Sequence, residues 1–458
     1  MKLLKAFLYV IFMLIALAVV IPVVLMIFVN PNQFKSQIQK EVSAALNRPF
    51  VIQGDLHWAV YPTVGIKAEG ISMQGLLTVK TLEFSVALRP LLHKEVRIGK
   101  IVVDGLNLTL VKKANGQTNW ENTGKPSSVP KSSQSSVNKS GDTAKIAAFS
   151  VSEIQIKNSQ ITFDDATQDK HIKITNFNFE STDVGVNQSF PVKLSMTAES
   201  NNLAGPVDVD WQANISYSPV QNKINMVNIH AALNNDLVLT GDENIVLGNT
   251  VKWHADINLN NINIQNLLKL FKKNSLKISG TGTLSANLSG AGSTSTLNGD
   301  MKFAVQNGIF YGIDLYYYGD VADSLSNKKA PTLSNTKQTP FGELTGTAKI
   351  QSGVFINNDL LIKASKVNAT GQGTANLNTE QLDYRLSLQR MTSGAEAKPR
   401  GPAIPLTITG NFSSPSVKLD MTSLAVSEVK QQLADKVQQY APQINQKIAD
   451  GLQSLLGK

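Results

Sequence analysis

From about residue 50 to 422, apolar and polar residues alternate with a period of two. That is the pattern of strands with one greasy and one wet face. Val207, Val209, Trp211, Ala213, Ile215 and Tyr217 alternate with polar neighbours, and so do Val251, Trp253, Ala255, Ile257 and Leu259. Ile278, Gly280, Gly282, Leu284, Ala286 and Leu288 come next, then Val367, Ala369, Gly371, Gly373 and Ala375, then Leu382, Tyr384, Leu386 and Leu388. Roughly 17 such runs are separated by Asn, Gly, Asp and Ser. Asn115-Gly116, Asn298-Gly299, Asn307-Gly308 and Ser352-Gly353 read as turns or hairpins.

Parallel sheets sandwiched between helices read as continuous apolar runs, which are missing here, as are long interspersed helices. The pattern therefore predicts a mainly β fold built on an elongated antiparallel sheet. A closed barrel, a two-sheet sandwich or a curled trough would each hide the dry face. The pairs Gly280/Gly282 and Gly371/Gly373 sit on the apolar register, where a missing side chain permits sharp curvature. They favour the curled form, which at ~4.8 Å per strand would extend about 80 Å. Its apolar channel would be lined by Val207, Val209, Trp211, Ile215 and Tyr217. Trp253, Ile257, Leu259, Ile278, Leu284 and Leu288 would continue the lining, with Phe303, Ile350 and Leu386 beyond them.

The period changes at both ends. Lys2 and Lys5 precede an uncharged stretch, Ala6–Val29, long enough to cross a ~30 Å hydrocarbon core as a helix. Ala16-Leu17-Ala18 resembles a signal-peptide cleavage site, but the apolar run continues through Val29, so residues 1–30 read as an uncleaved anchor. The flanking lysines predict a cytoplasmic N-terminus, with the rest of the chain outside. Asn32 can cap a short helix carrying Phe34, Ile38, Val42, Ala45 and Leu46, ended by Arg48-Pro49. That helix packs on the body, lies in the membrane interface, or does both. At the far end Val429, Leu433, Val437, Tyr440, Ile444, Ile448, Leu452 and Leu455 recur at spacings of three and four. Residues 423–458 thus form an amphipathic helix or helix pair, capping the sheet or meeting a partner or membrane.

Residues 122–145, dense in Ser and Lys, read as a disordered linker. It separates a helix and β module at 31–121 from a long body at 146–422. The stretches 328–340 and 391–402 read as loops.

Composition removes several function classes. The 458 residues contain no cysteine, which excludes thiolate metal sites, Fe–S clusters and cysteine nucleophiles. The net charge of +9 is spread along the chain rather than gathered on one face, as a nucleic-acid reader requires. None of the five histidines forms a tight metal-ligand pair. Asp104-Gly105 and Asp164-Asp165 fall at strand ends, where Asp makes turns. Nucleophile-elbow, phosphate-loop and zinc-protease motifs are absent, and Gly280-x-Gly282 lacks the third glycine of a dinucleotide loop. Tyr316-Tyr317-Tyr318 reads as a packed strand, with a groove lining or membrane-interface seat as the alternative. No enzyme, metal or cofactor is expected.

Several stretches resemble the AsmA family of bacterial envelope proteins. Asn30-Pro31, the short helix, and Ala59-Val60-Tyr61-Pro62 before Gly65-Ile66 look like the family's N-terminus. Leu297-Asn298-Gly299, Asn307-Gly308-Ile309 and Gly312-Ile313-Asp314-Leu315 resemble its C-terminal region. So do Phe341 through Gly346, Ser352-Gly353-Val354 and Asn358-Asp359-Leu360, then Gly371-Gln372-Gly373-Thr374 and Leu382-Asp383-Tyr384. Ile404-Pro405-Leu406 to Gly410 and Ser414-Pro415 look like its closing strand pair. The resemblance implies a single-pass inner-membrane protein with its bulk in the periplasm and a role in outer-membrane biogenesis. Through its likeness to chorein-type bridge-like proteins, it implies a greasy trough for phospholipid. The alternative is a non-transporting envelope scaffold. Where the C-terminal helix meets a partner rather than capping the sheet, the resemblance implies outer-membrane assembly or lipid-transport proteins.

Overall fold

A computed structural model describes residues 30–60, 63–87, 98–121, 150–272, 278–326, 337–392, 397–412 and 414–420. The expected anchor up to Val29, the 122–145 linker and the C-terminal helix lie outside the described residues. Among the described residues no helix is long and apolar enough to cross a membrane. The chain is mainly β and divides into two compact units, 1–234 and 235–458. The division falls within the stretch read above as one body.

In the first unit a 3₁₀ turn, Pro31–Phe34, leads into helix α1 (Lys35–Leu46). Asn30, rather than Asn32, caps the turn, its side chain accepting from the Asn32 amide at 2.9 Å. The helix ends where Asn47 turns left-handed. Eleven strands come after it: β1 (Phe50–Ile52), β2 (Leu56–Val60), β3 (Thr63–Met73), β4 (Leu77–Ala87), β5 (Ile98–Asp104), β6 (Asn107–Lys112), β7 (Ser150–Asp165), β8 (Lys170–Gly185), β9 (Ser189–Ser200), β10 (Val207–Ser218) and β11 (Lys223–Leu233).

The 3₁₀ turn and helix α1 are stapled along β2 and β1. Asn32 accepts from the Leu56 amide at 2.8 Å and donates to its carbonyl at 3.2 Å. Gln39 accepts from the Ile52 amide at 2.7 Å. Lys35 reaches the Gly54 carbonyl at 2.8 Å. Below the helix, Ile38 packs on a core of Ile52, Leu56, Ala68, Ile71 and Val79.

The expectation of an antiparallel sheet holds with one correction. Strands β5 and β6, end to end around Gly105 (φ 66°), both run parallel to the long β7. A parallel return needs a dozen or more connecting residues, and positions 113–149 supply them between β6 and β7.

The second unit is an antiparallel meander. Its strands are β12 (Leu237–Val246), β13 (Lys252–Asn263), β14 (Ile278–Gly290), β15 (Asn298–Tyr311), β16 (Gln338–Gln351), β17 (Val354–Lys363), β18 (Val367–Asn376), β19 (Gln381–Met391), β20 (Pro399–Asn411) and β21 (Ser414–Leu419). Two helices interrupt it, α2 (Ile264–Lys269) and α3 (Leu315–Ser326).

The tyrosine triplet thus opens helix α3 instead of forming a strand. Asp314 accepts from the Tyr317 amide at 3.0 Å, which starts the first turn. The helix is pinned at several points. The Leu315 amide donates to Thr339 Oγ1 at 2.8 Å, and the Tyr316 hydroxyl donates to the Pro340 carbonyl at 3.0 Å. Tyr318 reaches the Val417 carbonyl at 3.3 Å. Beneath α3 lies the main core, with Leu388, Ile404 and Leu406 at most 2% exposed.

Strict alternation fails in the middle of several strands. Asn158, Asn176 and Asn228 in the first unit, and Asn261 and Asn307 in the second, take left-handed φ of 50–56°. Each coincides with a slip in pairing register. These are β-bulges: one extra residue bends the strand and resets which way the later side chains face. In β7, Ile154 and Ile156 precede the bulge, and Ile161 and Phe163 lie beyond it with opposite parity on the same face. Without Asn158 the second half would turn its apolar residues to water. Asn307-Gly308, expected as a turn, is therefore a bulge inside β15.

Candidate functional site

The apolar face is best defined by directly opposed residues. In the first unit the row Ile156–Phe179–Leu194–Trp211–Ala231 crosses β7 to β11. Val209 stands between Met196 and Leu233, Ile215 between Phe190 and Met226, and Tyr217 opposite Ile224. All five candidate positions on β10 share this face. Val207 is buried at 5% exposure, whereas Val209, Trp211, Ile215 and Tyr217 are only half-buried. Their apolar surface remains accessible.

The second unit repeats the arrangement. The row Leu239–Leu259–Leu284–Phe303–Gly346 crosses β12 to β16. Beside it, Ile257 faces Gly241 and Ala286, and Leu288 faces Ala255 and Gly299. Trp253 lies between Ile245 and Gly290. Ile278 pairs with Phe310 at the other end of β14. Trp253, Ile257, Leu259, Ile278, Leu284, Leu288 and Phe303 are half-buried. Ile350 and Leu386 also lie on this face, but at 2% and 5% exposure they offer nothing to a ligand.

Glycines let large side chains lie flat on the face. A Cβ on Gly346 would sit 2.7 Å from the Phe303 ring, and one on Gly290 would sit 2.9 Å from Trp253. Gly371 makes room for Leu386 and Gly373 for Tyr384, while Gly282 clears Ile264 of α2. Gly280, at φ 130°, sits at the register slip between β14 and β15.

The opposite face is polar. A shallow cavity of about 560 Å³ has Gln155, Glu180, Lys193, Asp210, Gln212 and His230 in its lining, and it also touches Ile156, Phe179, Leu194 and Trp211 of the row described above. Side chains of both signs, Glu180 and Asp210 against Lys157 and Lys193, stand around it. His57, His171 and His230 are exposed and His254 is half-buried, and His171 pairs with Asp164. Among the described residues no group of three or more His, Asp or Glu side chains could hold a metal ion.

Reading the sequence alone missed Ile156, Phe179, Leu194 and Met196 on this face. The bulges hide the pattern in β7 and β8. The available signal was an Asn wherever the alternation changes phase.

The AsmA family model matches residues 1–247 and 241–360. "Protein AsmA" of Escherichia coli (strain K12) is 28% identical over 92 residues, 19% of this chain. That stretch spans about 15% of the relative's own length. No solved structure matches. The family match covers well over half of the chain, across both units, and the protein belongs to the AsmA family.

Proposed function

We propose that this protein holds phospholipid acyl chains against its apolar strand face and passes them along the cell envelope. AsmA family membership points to the envelope and to outer-membrane biogenesis. In this reading residues 1–30 anchor the chain in the inner membrane, the bulk lies in the periplasm, and no catalytic step is involved. The observation that carries the proposal is the half-buried row through Trp211, an aromatic and aliphatic surface that the described residues leave accessible.

The energetics agree. Each buried CH₂ contributes ~0.8 kcal/mol relative to water, so the face holds a tail well in an aqueous compartment. Relative to a bilayer the gain is near nil, so net movement follows a gradient or an external motor. A filled core under α3 favours the second reading, a rigid scaffold, for β16–β20.

Trp211→Asp and Ile257→Asp place a charge on the face in each unit. Lipid extracted from the purified full-length variants should fall well below the wild-type amount while membrane insertion persists. Unchanged lipid in both variants would leave only the scaffold.

A further inference from the structure

One charged side chain stands on the open apolar face of β12–β15, and it is Glu243. Register fixes its position: it lies directly opposite Ala255, itself 7% exposed, and Ala255 lies opposite Leu288. Along its own strand the same-face neighbours are Gly241 and Ile245. By alternation, Asp242 and Asp256 belong to the polar face, where they oppose each other. Glu243 has no hydrogen-bond or ion-pair partner among the described residues. Burial pushes its carboxyl up from the ordinary glutamate range, the expected response of an uncompensated charge on an apolar surface.

Its location within the face is informative. Glu243 is two residues from Ile245, which pairs with Trp253. Just beyond, the β12–β13 hairpin tip carries Leu247 and Val251, 37% and 46% exposed. The face therefore runs from the exposed hairpin tip at 247–251, past Glu243, to the half-buried leucines 259 and 284. A lipid lying there would keep its headgroup near the tip and its tails along those leucines. Ligand sites of this kind are mostly apolar, with a few placed polar groups that select among ligands. A solitary carboxylate disfavours a phosphate without a compensating cation and favours an ammonium.

We propose that Glu243 is a headgroup-selecting residue that takes the ammonium of an amine-bearing phospholipid. The inference rests on the acyl-chain reading of the face. A partly exposed ion pair contributes at most about 1 kcal/mol, so the expected preference reaches about fivefold.

The test uses the full-length protein incubated with vesicles of equal parts phosphatidylethanolamine and phosphatidylglycerol, after which bound lipid is quantified. Wild type should be enriched in the amine lipid over the vesicle ratio. Glu243→Gln should lose that enrichment while still binding lipid, and Glu243→Lys should reverse it toward the anionic lipid. Excess free ethanolamine should not displace the bound lipid. Wild-type enrichment retained in both variants would overturn the selection role and leave the groove standing. Displacement by free ethanolamine would overturn the lipid source of the ammonium. Absence of bound lipid in wild type would instead defeat the groove reading, and this inference with it.

Discussion

Single residues set how smooth and how greasy the face is. Gly346 lets the Phe303 ring lie over its backbone, with Asn357 Nδ2 also 3.0 Å from an added Cβ. Gly346→Ala should therefore destabilise the second unit by about 1–3 kcal/mol through overpacking. The midpoint of denaturant unfolding checks this, and Phe303→Leu in the same chain should recover part of the loss. Asn261 sits at a bulge with φ 54°. Asn261→Val should cost about 1–2 kcal/mol, since a β-branched residue resists the left-handed region, whereas Asn261→Gly should be nearly neutral. Equal losses in the two would show that the backbone conformation is not what the Asn provides. Glu243 gives a pH signature. Its raised pKa means that the proton-bound form suits the folded state, so its favourable contribution is full below the unfolded value near ~4.3 and is lost as pH rises through the raised folded value. Glu243→Gln should hence melt higher than wild type at pH 8 and alike at pH 4.

Secondary-structure elements show where the sequence could be read and where it could not. β10 and β13 were legible because their apolar runs, 207–217 and 253–259, contain no bulge. β7, β8 and β11 were blurred because a left-handed Asn resets parity in mid-strand. Three tyrosines favour strand on propensity, yet capping by Asp314 and the core beneath Leu315 make 315–326 a helix. The parallel pairing of β5 and β6 with β7 depends on a distant segment and leaves no local trace. The 3₁₀ turn and helix α1 shield the β1–β2 edge with side-chain bonds in place of another strand. Asn32→Ala removes both bonds to Leu56, which is 2% exposed. A buried amide left without its acceptor costs about 1–3 kcal/mol. Amide exchange at Leu56 should accelerate while that in β8–β10 stays unchanged.

At the scale of the whole molecule, each unit presents one apolar and one polar face, and each leaves part of the apolar face accessible. The first does so across β7–β11 and the second across β12–β15, beyond which α3 and its core close the face. This arrangement suits the reception of long flexible chains along many equivalent contacts. Because the chain lacks cysteine, one introduced at Ile257 can carry a single polarity-sensitive fluorophore on the full-length protein. Vesicles of phospholipid brominated near the tail end should quench that fluorophore strongly, and the same label on exposed Asp256→Cys should be quenched far less. Equal quenching at the two positions, or none at either, would contradict an acyl-accessible face.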